Sequence, residues 1–259
     1  MNKETTIQKT SSDNRSILSI LQSDSFKQQV SLALPRHMTP ERMIRIALTE
    51  LRKTPQLLKC DSTSLLGAIV QCSQLGLEPG NNLGHAYLIP YGRECTLIIG
   101  YKGLIDLSRR SGQIVSISAR EVRANDKFKI KYGLNEVLEH EPNFDDRGEL
   151  KGFYAIAQLK DGGHQFEYMP IIEINKIRDT SKSSKSSMSP WGNYYEEMAK
   201  KTVIRRLFKY LPVSVEIQQA VALDEQADAG IQNNSFNLDS FEEADALRVV
   251  TEEENKETL

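Results

Sequence analysis

Cysteine is scarce in this chain. Cys60, Cys72 and Cys95 are the three present, and no two of them stand in a C-x-x-C spacing. Neither a disulfide framework nor a zinc site is indicated. Long apolar runs are missing too, since no stretch approaches the ~18 residues needed to span a bilayer. The opening MNKETTIQKTSSDNRS is polar and has no signal-peptide core, so a cytoplasmic location with no membrane partner is expected. No G-x-x-x-x-G-K-[ST] occurs, and Gly80-Asn81-Asn82-Leu83-Gly84-His85 lacks the lysine that grips nucleotide phosphates. That argues against an ATP-driven machine, and no cofactor is expected. His37, His85, His140 and His164 are scattered without ligand spacing, which points to no metal centre.

Nor is there a surplus of positive charge overall: 33 Lys and Arg stand against 35 Asp and Glu, a net of -2. The distribution along the chain reverses that impression. Residues 224–259 hold eleven acids against Arg248 and Lys256, a net of -9, which leaves the rest of the chain at +7. A basic body with an acidic, aromatic-poor tail suits a protein that handles nucleic acid. The tail then recruits partners or competes weakly for the basic surface, or it merely solubilises the chain.

Periodicity and turn signals give an α+β order. Thr39 and Pro40 open a helix that runs to about Lys53. A second begins near Asp61 or Ser62 and stops at Gly76, a residue suited to a left-handed cap. HAYLIPY and CTLIIG flank the tight turn Tyr91-Gly92-Arg93-Glu94 and read as a β-hairpin. A helix follows over 101–111, with Leu104, Ile105, Leu107 and Ser108 inward and Lys102, Asp106, Arg109 and Arg110 outward. QIVSISAREV, KFKIKYG, NEVLEHE, LKGFYAIAQLK and HQFEYMP read as strands, IIEINKIR as a short helix, and SVEIQQAVALDEQ as the last one. The predicted fold is therefore a β-hairpin and a small antiparallel sheet packed with helices. Residues 1–29 are expected to form a flexible N-terminal segment with oligomerisation as its candidate role, 30–223 the core that would bind nucleic acid, and 224–259 an acidic tail.

The densest functional signal is PWGNYYEEMAKKTVIRRLFKYLP, residues 190–212. Wound as one helix at ~100° per residue, it places Trp191, Tyr194, Tyr195, Met198, Lys201, Thr202, Arg205, Arg206 and Lys209 in one stripe. Ala199, Val203, Ile204, Leu207, Phe208 and Leu211 fall on the other side. Cations interleaved with rings suit a single strand, because cations follow phosphates and ring faces accept any base. A continued core with ordinary solvated charges is the competing reading. Lys182 and Lys185, in the Ser/Lys-rich run just before, add to the same charge: residues 176–209 contain nine Lys or Arg and three acids.

AIVQCSQLGLEPGNNLGHAYLIPY, IIGYKGLIDLSRRSGQIVSISAREVRANDKF and SPW followed by EEMAKKTVIRRLFKYLPVS, in that order, resemble the RecT family of phage and prophage single-strand annealing proteins. The resemblance covers roughly residues 30–225. It implies an ATP-independent protein without hydrolytic activity that coats single-stranded DNA, anneals complementary strands and promotes homologous recombination. It also implies a homo-oligomeric ring or helical filament, with single strand and annealed duplex as ligands and a phage-encoded exonuclease as co-worker. A contact between the tail and the host single-strand binding protein is suggested by charge alone.

Candidate phosphate contacts are Lys182, Lys185, Lys201, Arg205, Arg206 and Lys209, with Lys102, Arg109 and Arg110 a weaker second group, since Lys102/Asp106 and Asp106/Arg110 also read as plain i,i+4 surface pairs. Trp191 is read as a base-stacker, a wedge between bases or an anchor of the loop. Two alternatives stand beside annealing. One is passive single-strand binding. The other is a metal-dependent nuclease using Asp145, Asp146 and Glu149, against which a solvated hairpin turn is the simpler explanation of DDRGELK.

Overall fold

The computed structural model describes residues 17–80, 83–181, 184, 190–212 and 214–231. They divide into two compact units, one ending at Ile99 and the other running from Gly100 to Ile231.

In the first unit residues 17–22 are helical, and α1 (Asp24–Ala33) follows at once, its N-terminus closed by Ser23 Oγ accepting from the Phe26 amide at 3.2 Å. Helix α2 (Pro40–Lys53) starts where its sequence dictates. Thr39 Oγ1 accepts from the Arg42 amide at 3.4 Å, and Pro40 occupies the first turn, where no amide donor is needed. Met43, Ile44, Ala47 and Leu51 form its buried stripe. After a 3-10 turn (Pro55–Lys59), α3 (Ser62–Leu75) is capped by Asp61 at 3.0 Å and ends at Gly76 with φ 60°. That left-handed conformation favours glycine, as the sequence requires. Helix α3 is buried along most of its length and packs against α1 and against β2 (Glu94–Ile99) of the hairpin that β2 forms with β1 (Ala86–Tyr91). Two bonds fasten that hairpin: the Asp61 amide donates to the Arg93 carbonyl at 2.6 Å, and the Cys95 amide to Ser64 Oγ at 3.0 Å. All three cysteines are buried, and burial pushes the Cys72 thiol up to about 12, so it serves as a small apolar side chain.

The second unit runs α4 (Tyr101–Arg110), β3 (Ile114–Arg123), β4 (Lys127–Lys131), β5 (Val137–Glu141), β6 (Leu150–Leu159), β7 (His164–Pro170), α5 (Ile171–Thr180), α6 (Pro190–Asn193), α7 (Tyr195–Leu207), a 3-10 turn (Phe208–Tyr210) and α8 (Val215–Ala229). Strands β3, β6 and β7 form an antiparallel sheet in the order β3-β6-β7, while β4 and β5 pair separately. Helix α7 lies on the sheet and contacts all three of its strands. Alternation along β6 puts Phe153, Ala155 and Ala157, each 0 % exposed, on one face. Tyr154, in register with Tyr168, belongs to the other face. There the β4–β5 hairpin docks through Phe128, whose ring centroid lies 6.0 Å from that of Tyr154 and 5.1 Å from that of Tyr168. The sheet is thus covered by a helix on one side and partly by a hairpin on the other, and the α+β expectation holds.

Gly152 marks the closest approach in the sheet, because a Cβ there would lie 2.6 Å from the Met169 carbonyl oxygen and 2.6 Å from Tyr168 Oη. The carbonyl is backbone and cannot swing aside as a side-chain end can. Gly152→Ala is expected to cost about 1–3 kcal/mol through forced displacement, read as a lower urea midpoint; an unchanged midpoint would contradict the close approach.

The hairpin is also locked electrostatically. Arg147, from the turn before β6, reaches Asp126 at 2.7 and 3.1 Å and Glu121 Oε1 at 2.5 Å. Asp126, whose side chain is 0 % exposed, also lies 3.0 Å from His140 Nε2. It accepts from the Arg123 amide at 2.8 Å and the Asn143 amide at 3.0 Å. Hydrogen bonding to Arg147 outweighs burial and holds the Asp126 carboxyl well below the usual carboxylate range. The same pairing pushes the Arg147 guanidinium above its ordinary value. His140 Nδ1 lies 3.1 Å from Tyr154 Oη, so one chain of polar contacts ties β5 to β6.

Candidate nucleic-acid interface

Residues 190–212 do not form the single helix expected from periodicity. The chain makes the short turn α6, breaks at Tyr194 (φ -137°, ψ 48°), resumes as α7 and tightens into the 3-10 turn at Phe208. The break reorients the aromatic residues. Trp191 is buried and packs against Tyr195 with ring centroids 5.9 Å apart, and Tyr195 Oη donates to Asn175 Oδ1 at 2.8 Å, so these two rings fasten α6 and α7 to α5. Trp191 is thus packed between elements of the protein, while the loop it was read as anchoring lies largely outside the described residues. Tyr194, in the break itself, is 66 % exposed.

The apolar side of α7 was read correctly: Ala199, Val203, Ile204, Leu207, Phe208 and Leu211 are all buried. The opposite side was expected to face solvent, and that expectation is corrected. Lys201, Thr202 and Arg205 are 5 %, 3 % and 8 % exposed. A second layer covers them. Asp224 of α8 accepts from Lys201 Nζ at 2.6 Å and from Arg205 Nη1 at 2.9 Å, and Asp228 binds the same Arg205 nitrogen. Burial disfavours the Arg205 cation, but Asp224 and Asp228 outweigh it and leave its pKa above the ordinary guanidinium value. Lys209 pairs with Glu225 at 3.0 Å, and Arg206 with Glu167 of β7 and Glu173 of α5, both at 2.8 Å. Every one of the four cations proposed on this helix therefore holds a carboxylate. The acids Asp224, Glu225 and Asp228, counted with the tail on composition, belong to α8 and answer those cations across the helix pair.

Helix α4 keeps the polarity read from its sequence. Gly103, Leu104, Leu107 and Ser108 are buried, whereas Lys102, Arg109 and Arg110 are exposed. Arg110 forms the anticipated i,i+4 pair with Asp106. Lys102 and Arg109 make no salt bridge among the described residues. Lys176, on α5, is likewise exposed and outside any such salt bridge. Lys182 and Lys185 lie outside the described residues. The structure thus leaves α4 and Lys176 with cations turned to solvent, turns Lys201 and Arg205 inward, and leaves Arg206 and Lys209 partly exposed within their ion pairs.

The nuclease alternative gains nothing from the geometry. Asp145, Asp146 and Glu149 are all exposed, and Asp146 is engaged by Asn125 Nδ2 at 3.2 Å and by the Gly148 amide at 3.0 Å. Among the described residues no group of three or more His, Cys, Asp or Glu is placed to hold a metal ion. The residue of that turn with a structural role is Arg147, paired with Asp126 and Glu121, and nothing in the run DDRGELK sets it apart from its neighbours. No helix among the described residues is long and apolar enough to cross a membrane.

The class the structure defines is an α+β protein whose antiparallel sheet is covered by a helix wrapped in ion pairs, with further cations exposed on neighbouring helices. A model of the RecT family matches residues 41–237. The chain is 51 % identical over 246 residues to Protein RecT of Escherichia coli (strain K12), covering 89 % of this chain and 91 % of that protein. It is 29 % identical over 196 residues to an uncharacterized protein of Bacillus subtilis (strain 168), YqaK, covering 75 % of this chain and 65 % of that one. The chain belongs to the RecT family, and with it to proteins of DNA binding, strand annealing and recombination.

Proposed function

We propose that this protein binds single-stranded DNA through its phosphates and anneals complementary strands without nucleotide, acting as an oligomer assembled along the strand. Family membership over residues 41–237 is the observation that carries the reading. Its chemistry is consistent with the surface. Annealing needs a strand held by its backbone with base edges left free, so contacts go to phosphates and carry little sequence information. Lys102 and Arg109 on α4, with Lys176 on α5, are the contacts proposed for that role, because cations outside salt bridges attract phosphate without first giving up a carboxylate; Lys182 and Lys185 are added on sequence and charge alone. Tyr194 offers an exposed ring for a base. Growth along DNA requires head-to-tail contacts that do not close on themselves. A partner exonuclease that exposes single strand and a host single-strand binding protein that meets the acidic tail complete the proposed setting.

The binding mode is tested by titrating labelled oligonucleotides of mixed sequence and of oligo(dT), in EDTA and without ATP, across a salt series. Comparable affinity for both and a linear fall of log K with log salt are expected. Removing two phosphate contacts in Lys102→Ala/Arg109→Ala should flatten the slope by about 1.4, at ~0.7 per contact. Sequence-dependent binding, or a requirement for nucleotide or metal, would overturn the reading; an unchanged slope in the variant would remove α4 from the contact.

A further inference from the structure

We propose that the acidic end of α8 is a displaceable cover over a second set of phosphate contacts, its carboxylates standing where strand phosphates bind when the helix end unwinds. The inference rests on the strand-binding reading above and adds a regulated site to it.

Spacing is the first argument. Lys201 and Arg205 are one turn apart on α7, a rise of ~6 Å, with Lys209 following in the 3-10 turn. Asp224 and Asp228 repeat that one-turn step on α8, and the ion pairs run from Lys201 to Asp224, from Arg205 to Asp224 and Asp228, and from Lys209 to Glu225. Two anions one turn apart beside two cations one turn apart give a spacing that successive phosphates of a strand can take up, while Glu225 reaches Lys209 from outside that step.

The second argument is how the cover is held. The apolar residues that α8 buries, Ile217, Ala220 and Leu223, all precede the acids. From Asp224 to the left-handed cap at Gly230 the helix buries no further apolar side chain. The last turns therefore stay on α7 through charge, and they can unwind while the apolar part remains docked. Buried ion pairs contribute little net stability compared with apolar packing, yet a cation left alone there is costly. Phosphate in place of carboxylate avoids that cost, because the cations stay paired throughout, and Arg205 gains a ligand suited to its planar fork. Helix α4, which carries Lys102 and Arg109, packs against both α7 and α8, so a strand landing on α4 is delivered to the element that bears the cover.

Hydrogen exchange on the full chain, alone and saturated with oligo(dT) at low salt, tests the cover. Amides of residues 224–229 should exchange faster in the complex, on the order of tenfold, while those of β6 stay protected. In parallel, Asp228→Asn, which leaves Arg205 still paired with Asp224, should bind oligo(dT) several-fold more tightly with the fold intact. Binding with residues 224–229 equally or more protected, or Asp228→Asn affinity unchanged or weaker, would overturn the cover and leave strand binding standing. No binding by the wild-type chain would overturn strand binding itself, and the cover with it.

Discussion

Replacing Asp126 with alanine is expected to destabilise the unit formed by residues 100–231 by about 1–3 kcal/mol, the cost of leaving donors without their acceptor, because Arg147 keeps its pair with Glu121. Arg147 would be left without its shielded carboxylate, and the Arg123 and Asn143 amides would lose their acceptor. The β4–β5 hairpin would then be held on the sheet by the Phe128 ring contacts and the His140–Tyr154 contact. Urea unfolding followed by fluorescence reads the effect. The pH dependence carries a definite sign. The folded carboxyl is held well below its ordinary value, chiefly by Arg147. Its stabilisation is therefore complete above the unfolded value of ~3.9 and is lost as pH falls below that toward the folded value. The gap between wild type and Asp126→Asn should be widest near neutrality and narrow below about pH 4. A gap that is constant with pH would show that the carboxylate charge contributes nothing.

The second large effect concerns α7. Lys201→Ala/Arg205→Ala removes both cations that face Asp224, a residue 0 % exposed, and strands Asp228 as well. A loss of about 3–5 kcal/mol is expected from unpaired buried carboxylates, with α8 the first element to loosen. Thermal unfolding of the double variant, compared with Lys102→Ala/Arg109→Ala, checks this: the α7 pair should melt far lower while the exposed α4 pair melts close to wild type. Equal melting temperatures would mean that the buried ion pairs do not hold α8 in place. The comparison also bears on assays, since loss of DNA binding in the α7 variant reports unfolding as readily as lost contact.

What was legible in the sequence, and what was not, divides along a physical line. Caps and turns are local chemistry, so Thr39-Pro40, Asp61 and Gly76 set the bounds of α2 and α3 from a few residues each. The β1–β2 turn at Gly92 and the strands from β3 to β7 came from alternation and turn residues in the same way. Exposure was misread where it depended on distant partners. One helical wheel assigns Lys201 and Arg205 to solvent because it has one neighbour in mind, the core. It has no place for a second layer arriving from residues 215–229. The signal was nevertheless present: Asp224 and Asp228 repeat the four-residue spacing of Lys201 and Arg205, a match that composition hid by assigning both acids to a tail. Arg147 and Asp126 went unnoticed for a related reason, since each lies in a polar turn and only the pairing of β3 with β6 makes them neighbours. Trp191 was singled out for the right reason, a large ring beside cations, but the break at Tyr194 turns it inward.

The central claim is that this chain anneals DNA by holding backbones rather than by hydrolysis or nucleotide-driven work. It is tested most directly by mixing two complementary labelled oligonucleotides with the intact protein in EDTA, without ATP, and following duplex formation by energy transfer. Pairing much faster than the spontaneous rate, with both strands full length on a denaturing gel, is the predicted result. Strands that are bound but pair no faster than when free would contradict it and leave a passive binder, and shortened strands on adding a divalent cation would restore the nuclease.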